Sequence, residues 1–455
     1  MNYERPGRYS LHCCSVPAMS PQTLDRVTAN AAVISCAENL ERIINKKILC
    51  HLENSILSNA QHGFRPGRSC ETALRVVAHT ASASLDNRTP CELVQLDFEK
   101  AFDRIDHRLL LQKLIEAGIK GSLLQWLLSL VTGRTQQVLF HGSASTSRAV
   151  LSGVPQGSVV GPTLFSIYIN GVTEVLCSIA ILYAHNLTLI KPLNSPQSYL
   201  ELQGDQMSAT CGLKPPTSLN AKKSVTMTVT TGTKSPTAPP LVLGSVPLQR
   251  VQSTTPLGVS FDNHLSFTGH IRGIMAKARR SLGFVTYVTR GMPPSAFRHL
   301  YTGSVLPHLG FCSPVWSPFQ KSLEQGPGSV QRRAAYALYR RSVPRAALSP
   351  YRDIPTTALL QGANWHSLAH RRDVTSIRLF CNLMGTPMKP SDAPRFNACT
   401  GKIQPFLART LRHLESCLMC TARNWIPLPP ELTVEITIDP EDIRALCRQA
   451  SSVFP

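Results

Sequence analysis

The chain has 455 residues, of which 43% are apolar and 16% charged, enough to bury a substantial core and to form two or three subdomains. A formal net charge of +20 points to a polyanionic partner, nucleic acid before any other. No run of about 18 apolar residues marks a membrane span, no basic start followed by an apolar stretch marks a secretory signal, and the 14 cysteines show no framework spacing, so free thiols in the nucleus and/or cytoplasm are expected rather than secretion.

Residues 1–35 are irregular. Farther on, the apolar run Leu93-Val94-Gln95-Leu96 closes on Asp97 and reads as a strand with an acid at its end. His107 to Ala117 reads as a helix ended by Gly118, and Leu123 to Val131 repeats the pattern before Gly133. Gln136 to His141 and Arg148 to Leu151 read as short strands, followed by the loop Gly153-Val154-Pro155-Gln156-Gly157 and a helix from about Gly161 to Leu176. Ser178 to Ile190 holds two apolar runs hinged on a short polar turn, the layout of a β-hairpin carrying polar groups at its tip. Thr230 to Pro240 reads as a flexible excursion, and Ser266 to Tyr339 as mostly helical, with Lys277, Arg279 and Arg280 on one stretch and Arg332 and Arg333 on another. Beyond Pro344, helices alternate with proline-rich breaks. Cys417 and Cys420, with Cys399 and His413, have the spacing of a zinc knuckle, but Leu414, Cys417 and Leu418 also fall at helical spacing, and core-facing thiols are the preferred reading.

Several segments in this order carry a family resemblance. Asn39-Leu40-Glu41-Arg42-Ile43-Ile44, Gly63-Phe64-Arg65-Pro66-Gly67-Arg68-Ser69, Asp97-Phe98-Glu99-Lys100-Ala101-Phe102-Asp103, Ser152 to Ser158, Tyr183-Ala184-His185-Asn186, Asn220 to Lys223, Pro256 to Val259 and Cys312 to Pro318 together resemble the reverse transcriptase of a non-LTR, LINE-type retrotransposon, in its jockey-like branch. The resemblance implies an α+β right-hand polymerase fold: fingers and palm over 36–260, a thumb-like basic helical region over 261–345, and a helical C-terminal region over 346–455.

It also implies RNA-templated DNA synthesis, with an RNA template and an RNA–DNA duplex as partners and Mg²⁺ or Mn²⁺ as cofactor. Nucleotidyl transfer of this kind holds two divalent ions between carboxylates, because hard cations want anionic oxygen ligands. Asp97 keeps its place as a metal ligand. The hairpin turn, which reads Tyr-Ala-Asp-Asp in the family, here offers His185 and Asn186 where two catalytic aspartates belong, so impaired catalysis is expected. A non-catalytic nucleic-acid-binding protein and an inert relic are the alternatives.

The resemblance further assigns Arg65 to the incoming triphosphate, Phe98 and Phe102 to nucleotide and template, with Phe102 as a steric gate, Gln156 and Gly157 to close approach of template and nucleotide, Lys223 to pyrophosphate, and Lys277, Arg279, Arg280, Arg332 and Arg333 to the nucleic-acid backbone. Each has a plainer reading. Asp97 is also an ordinary strand-end acid, Phe102 a core filler, Lys223 a surface lysine and the basic stretches solvated faces. For Asp103 a helix N-cap is preferred to a site role.

Overall fold

The computed structural model describes residues 38–53, 56–140, 143–212, 218–232, 239–317 and 321–384. The irregular segment 1–35 and the cysteine pair at 417 and 420 lie outside them. In chain order, helix α1 (38–53) precedes α2 (Cys70–Asp86), strand β1 (Cys91–Asp97), α3 (His107–Glu116) and α4 (Gly121–Val131). Four two-residue strands follow: β2 (Thr135–Gln136), β3 (Leu139–Phe140), β4 (Ser143–Ala144) and β5 (Arg148–Ala149). Next come α5 (Gly161–Ile169), continued by a 3-10 turn over Asn170–Val175, then β6 (Ile179–Tyr183), β7 (Asn186–Pro192), α6 (Pro196–Gly212) and β8 (Val225–Val229). The short strands β9 (Val242–Leu243), β10 (Val246–Pro247), β11 (Gln249–Arg250), β12 (Ser253–Thr254) and β13 (Phe261–Asp262) lead into helices α7 (Thr268–Val288), α8 (Pro294–Ser304), α9 (Leu306–Gly310), α10 (Ser313–Trp316), α11 (Lys321–Ser342), α12 (Thr356–Ala363) and α13 (Leu368–Met384).

The main sheet has the strand order β11-β8-β1-β7-β6. β1 and β8 run antiparallel, with Cys91 opposite Val229 and Gln95 opposite Val225, while β11 joins β8 in parallel. β1 is buried along most of its length, with Cys91, Leu93, Val94 and Leu96 in the core. Its one buried acid, Glu92, is satisfied by the hydroxyls of Thr226 and Thr228 on the neighbouring strand. Burial pushes the Cys91 thiol up to about 12, as for an inert core residue rather than a reactive one.

The chain divides into two compact units. One comprises the segment through Pro66 with Leu96–Leu187 and Asp205–Lys223; the other comprises Gly67–Gln95, Thr188–Gly204 and the chain from Ser224 onward. The continuous 36–260 segment expected for fingers and palm is thus shared between them.

Within the first unit, polar contacts tie α1 to the loop and helix after the short strands. Glu41 accepts from the Val159 N–H at 2.7 Å, and Asn45 accepts from the Thr163 hydroxyl at 2.7 Å. α3 starts at Asp106, whose Oδ1 accepts from the Leu109 N–H at 2.8 Å. This corrects the preferred reading of Asp103 as the cap: the helix begins at His107, as its apolar spacing predicts, and Asp103 lies outside it.

Within the second unit, α7, α8, α9, α11 and α12 share one core, in which Leu282, Phe297, Tyr301, Val330, Leu338, Leu359 and Leu360 are buried together. A boundary near residue 345 therefore does not separate two cores, because α12 supplies apolar side chains to the same one as α7 and α11. Among the described residues no helix is long and apolar enough to cross a membrane.

Candidate active site

The sheet places Asp97 at the last position of β1. Backbone hydrogen bonds fix what surrounds it. The Phe98 N–H donates to the His185 carbonyl at 2.9 Å, and the Asn220 N–H donates to the Asp97 carbonyl at 2.7 Å, so the hairpin turn and the 218–223 segment flank the strand end. The turn consists of Ala184 and His185, and Asn186 opens β7, a two-residue hairpin loop of the commonest length. Ala184 sits at φ +51, an uncommon conformation for a residue with a side chain, and it is held there by packing.

The packing comes from the loop after α1. Leu182 donates to the Ala60 carbonyl and accepts from the His62 N–H, both at 2.8 Å, so the loop runs along the outer edge of β6. Gly63 then lies so close to the turn that a Cβ there would meet the Ala184 nitrogen at 2.5 Å. Only glycine permits that approach. At the other end of β6, the buried Asp205 carboxylate accepts from the N–H groups of Cys177 and Ser178 at 2.7 and 2.8 Å.

At the centre, the Asp97 carboxylate faces nitrogen on both oxygens. His185 Nε2 lies 3.8 Å from Oδ1, and Lys223 Nζ lies 3.6 Å from Oδ2. The nearest acids in sequence are engaged elsewhere: Glu99 pairs with Arg104 at 2.9 Å, and Asp103 accepts from the Gln156 amide at 3.0 Å. Among the described residues no group of three or more His, Cys, Asp or Glu is placed to hold a metal ion. One carboxylate and a neutral amide, with an ammonium beside them, do not match the oxygen-rich ligand set that a pair of Mg²⁺ ions demands.

Other expected site residues divide clearly. Phe102 is half-buried, its ring tilted against Phe165 at 4.9 Å and edge-on to Phe64 at 6.2 Å. Gln156 and Gly157 are exposed on the loop beside Asp103, and Gly157, at φ +90, has open space where a side chain would project. Phe98 requires a correction: it is only 2% exposed and packs at right angles to Phe165, so it supports the site from below and presents no surface to a template.

Arg65 requires a second. Its Nε and Nη2 donate to the two oxygens of Glu53 at 2.8 and 2.7 Å, and Nη1 donates to the Ser58 and Gln61 carbonyls. A guanidinium so engaged, in a buried side chain, fastens the 56–66 loop to α1 and is not directed at a triphosphate.

In the second unit, Lys277, Arg279 and Arg280 on α7 and Arg333 on α11 are exposed. Arg332 is not with them: its Nη2 donates to the Tyr351 and Ile354 carbonyls, and its guanidinium lies 4.5 Å over the Tyr351 ring. Phe284 and Tyr287, not among the residues expected from sequence, are 67% and 65% exposed and extend the stripe of Lys277 and Arg280 at helical spacing. Their signal was present, since both fall out of phase with the buried Ala278, Leu282 and Val285.

Residues 28–260, just over half of the chain, match the family model described as reverse transcriptase (RNA-dependent DNA polymerase). The chain belongs to the reverse transcriptase family. It is similar to the probable RNA-directed DNA polymerase from transposon BS of Drosophila melanogaster, 26% identical over 356 residues, which cover 72% of this chain and 37% of the relative. It is similar also to the RNA-directed DNA polymerase from mobile element jockey of Drosophila funebris, 29% identical over 280 residues, covering 58% of this chain and 30% of the relative. The chain therefore spans less than two-fifths of the length of either. Among solved structures, telomerase from Candida albicans in complex with a TWJ fragment of telomeric RNA aligns with a TM-score of 0.43 and 10% identity, over 80% of this chain and 59% of that one. This reverse transcriptase domain is of non-LTR retrotransposon ancestry and has the α+β right-hand polymerase fold that its motifs imply.

Proposed function

We propose that this reverse transcriptase domain has lost RNA-templated DNA synthesis and retains binding of an RNA template and an RNA–DNA duplex. The observation that carries the reading is the strand end itself, where Asp97 is the sole acid left of three and has His185 and Lys223 against its oxygens. Two-ion catalysis gains its rate from carboxylates that hold both cations while charge develops on the attacking and leaving oxygens. A loss of about 5 kcal/mol of that stabilisation corresponds to nearly four decades in rate. Binding rests on other features, namely the net charge of +20 and the exposed stripe of Lys277, Arg280, Phe284 and Tyr287, which pairs phosphate-seeking cations with aromatic faces on which bases stack.

The test is primer extension by the purified chain on a primed RNA template, with Mg²⁺ and separately with Mn²⁺. Product formation at the rate of a no-enzyme control is expected with both ions. Robust synthesis that disappears in Asp97→Ala would refute the proposal.

A further inference from the structure

An acidic stretch near the C-terminus runs against the overall charge of the chain. Between Arg423 and Arg444 no lysine or arginine occurs, while Glu431, Glu435, Asp439, Glu441 and Asp442 fall within twelve residues of a chain whose net charge is +20. Leu432, Val434, Ile436 and Ile438 alternate with acids and threonines, so an extended chain here presents apolar side chains along one edge and acids along the other. This segment lies outside the described residues and follows the last of them, Met384, after residues 385–430.

Helix α7 offers the opposite charge in the same mixture. Lys277, Arg280, Phe284 and Tyr287 stand three or four residues apart on one exposed face, and the Arg290 guanidinium, 5.2 Å over the Tyr287 ring, continues it. The other side of the helix supplies Ala278, Leu282 and Val285 to the helical core. Two large aromatic rings left about two-thirds exposed among cations mark a face built to be covered. The 431–442 segment carries what that face takes: carboxylates for the cations and aliphatic side chains for the rings.

The connection is long enough. α7 has 21 residues and is about 30 Å long, whereas a coil of the 46 residues 385–430 spans roughly 37 Å. α13, which ends at Met384, belongs to the same compact unit as α7, and Leu368 at its start is buried in the core that α7 shares. Attachment to the same chain gives such a segment an effective concentration on the order of mM, so a contact too weak for a free peptide is still populated.

We propose that residues 431–442 dock on this face of α7 and compete there with nucleic acid, as a polyanion mimic carried by the chain itself. The proposal deepens the reading of α7 as a nucleic-acid-binding face and rests on it.

A double-mutant cycle on the full chain tests it. One variant carries Glu431→Gln, Glu435→Gln, Asp439→Asn, Glu441→Gln and Asp442→Asn, a second carries Lys277→Gln with Arg280→Gln, and a third combines them. Affinity for a labelled RNA–DNA duplex is measured at about 0.1 M salt, where exposed charges more than about 10 Å apart are largely screened. Neutralising the acids is expected to tighten binding about tenfold in the wild-type background. Where Lys277 and Arg280 are already neutral, the gain should shrink to about twofold or less, because the segment no longer covers the face. Equal gains in the two backgrounds would show that the acids act only through net charge and would overturn the proposal.

Carbodiimide cross-linking supplies a second readout without a ligand. An amide between Lys277 Nζ and an acid of 431–442, formed within a single chain and suppressed by excess duplex, is expected. Absence of that link, or its appearance only in covalent dimers, where a second copy supplies the acids, would overturn the contact. The two readings fail separately. No duplex binding by any of the four chains defeats the reading of α7 as a nucleic-acid face, whereas duplex binding with an additive cycle and no cross-link defeats the docking alone.

Discussion

The double substitution His185→Asp with Asn186→Asp is expected to restore Mg²⁺-dependent, RNA-templated DNA synthesis by several decades over the wild-type chain. The surroundings of the turn favour acceptance of both acids. Asn and Asp have nearly the same size and tolerate the same turn conformations, and His185 is an exposed side chain with room to shrink. The hairpin is positioned by backbone contacts that neither substitution touches: the Phe98 N–H on the His185 carbonyl, and the 60–63 loop along β6. Three carboxylates at one strand end would then stand close enough to share cations, at the cost of mutual repulsion when no ion is bound. Primer extension on a primed RNA template reads the result. A double variant that keeps its circular dichroism spectrum and its RNA binding, yet makes no product, would show that the lesion is not confined to the turn.

Arg65→Ala is expected to destabilise the fold by roughly 3 kcal/mol, because it leaves a half-buried Glu53 carboxylate without its bidentate partner and removes donors from the Ser58 and Gln61 carbonyls. The consequence should reach the hairpin. The loop that Arg65 fastens is the one that runs along β6 and brings Gly63 against Ala184. Urea denaturation of the variant and of Glu53→Gln measures the effect, and Glu53→Gln should cost less, because it leaves the bonds from Arg65 to the Ser58 and Gln61 carbonyls in place. Unchanged stability of Arg65→Ala, with a selective loss of nucleotide binding, would return Arg65 to the triphosphate role that its motif implied.

Much of the site was legible before the structure, for identifiable reasons. The hairpin announced itself as two apolar runs around a polar turn, a pattern set by strand periodicity alone, and Asp97 followed the mostly apolar run Leu93 to Leu96, which reads as a strand. The helices closing near Gly118 and Gly133 were equally local, and both glycines have positive φ. What stayed hidden depends on contacts between distant segments. Arg65 looks like a solvent-facing cation in a glycine-rich loop until Glu53, on a preceding helix, is seen to hold it. Phe98 follows Asp97 directly, and only the position of Phe165 on α5 shows that its ring points into the core. Asp103 and Asp106 are both acids ahead of the helix, and a start at His107 sets Asp106, not Asp103, against its first turn. Likewise, nothing local reveals that Leu359 and Leu360 complete the core of helices that begin at residue 268.

Direct Mn²⁺ titration followed by electron paramagnetic resonance tests, without relying on turnover, whether the strand end assembles a divalent-cation site. The wild-type chain and its Asp97→Asn variant are expected to give the same titration curve, with no bound ion attributable to Asp97, while the His185→Asp with Asn186→Asp variant gains bound Mn²⁺. Tightly bound Mn²⁺ in the wild-type chain that is lost in Asp97→Asn would show instead that the strand end still holds a catalytic cation.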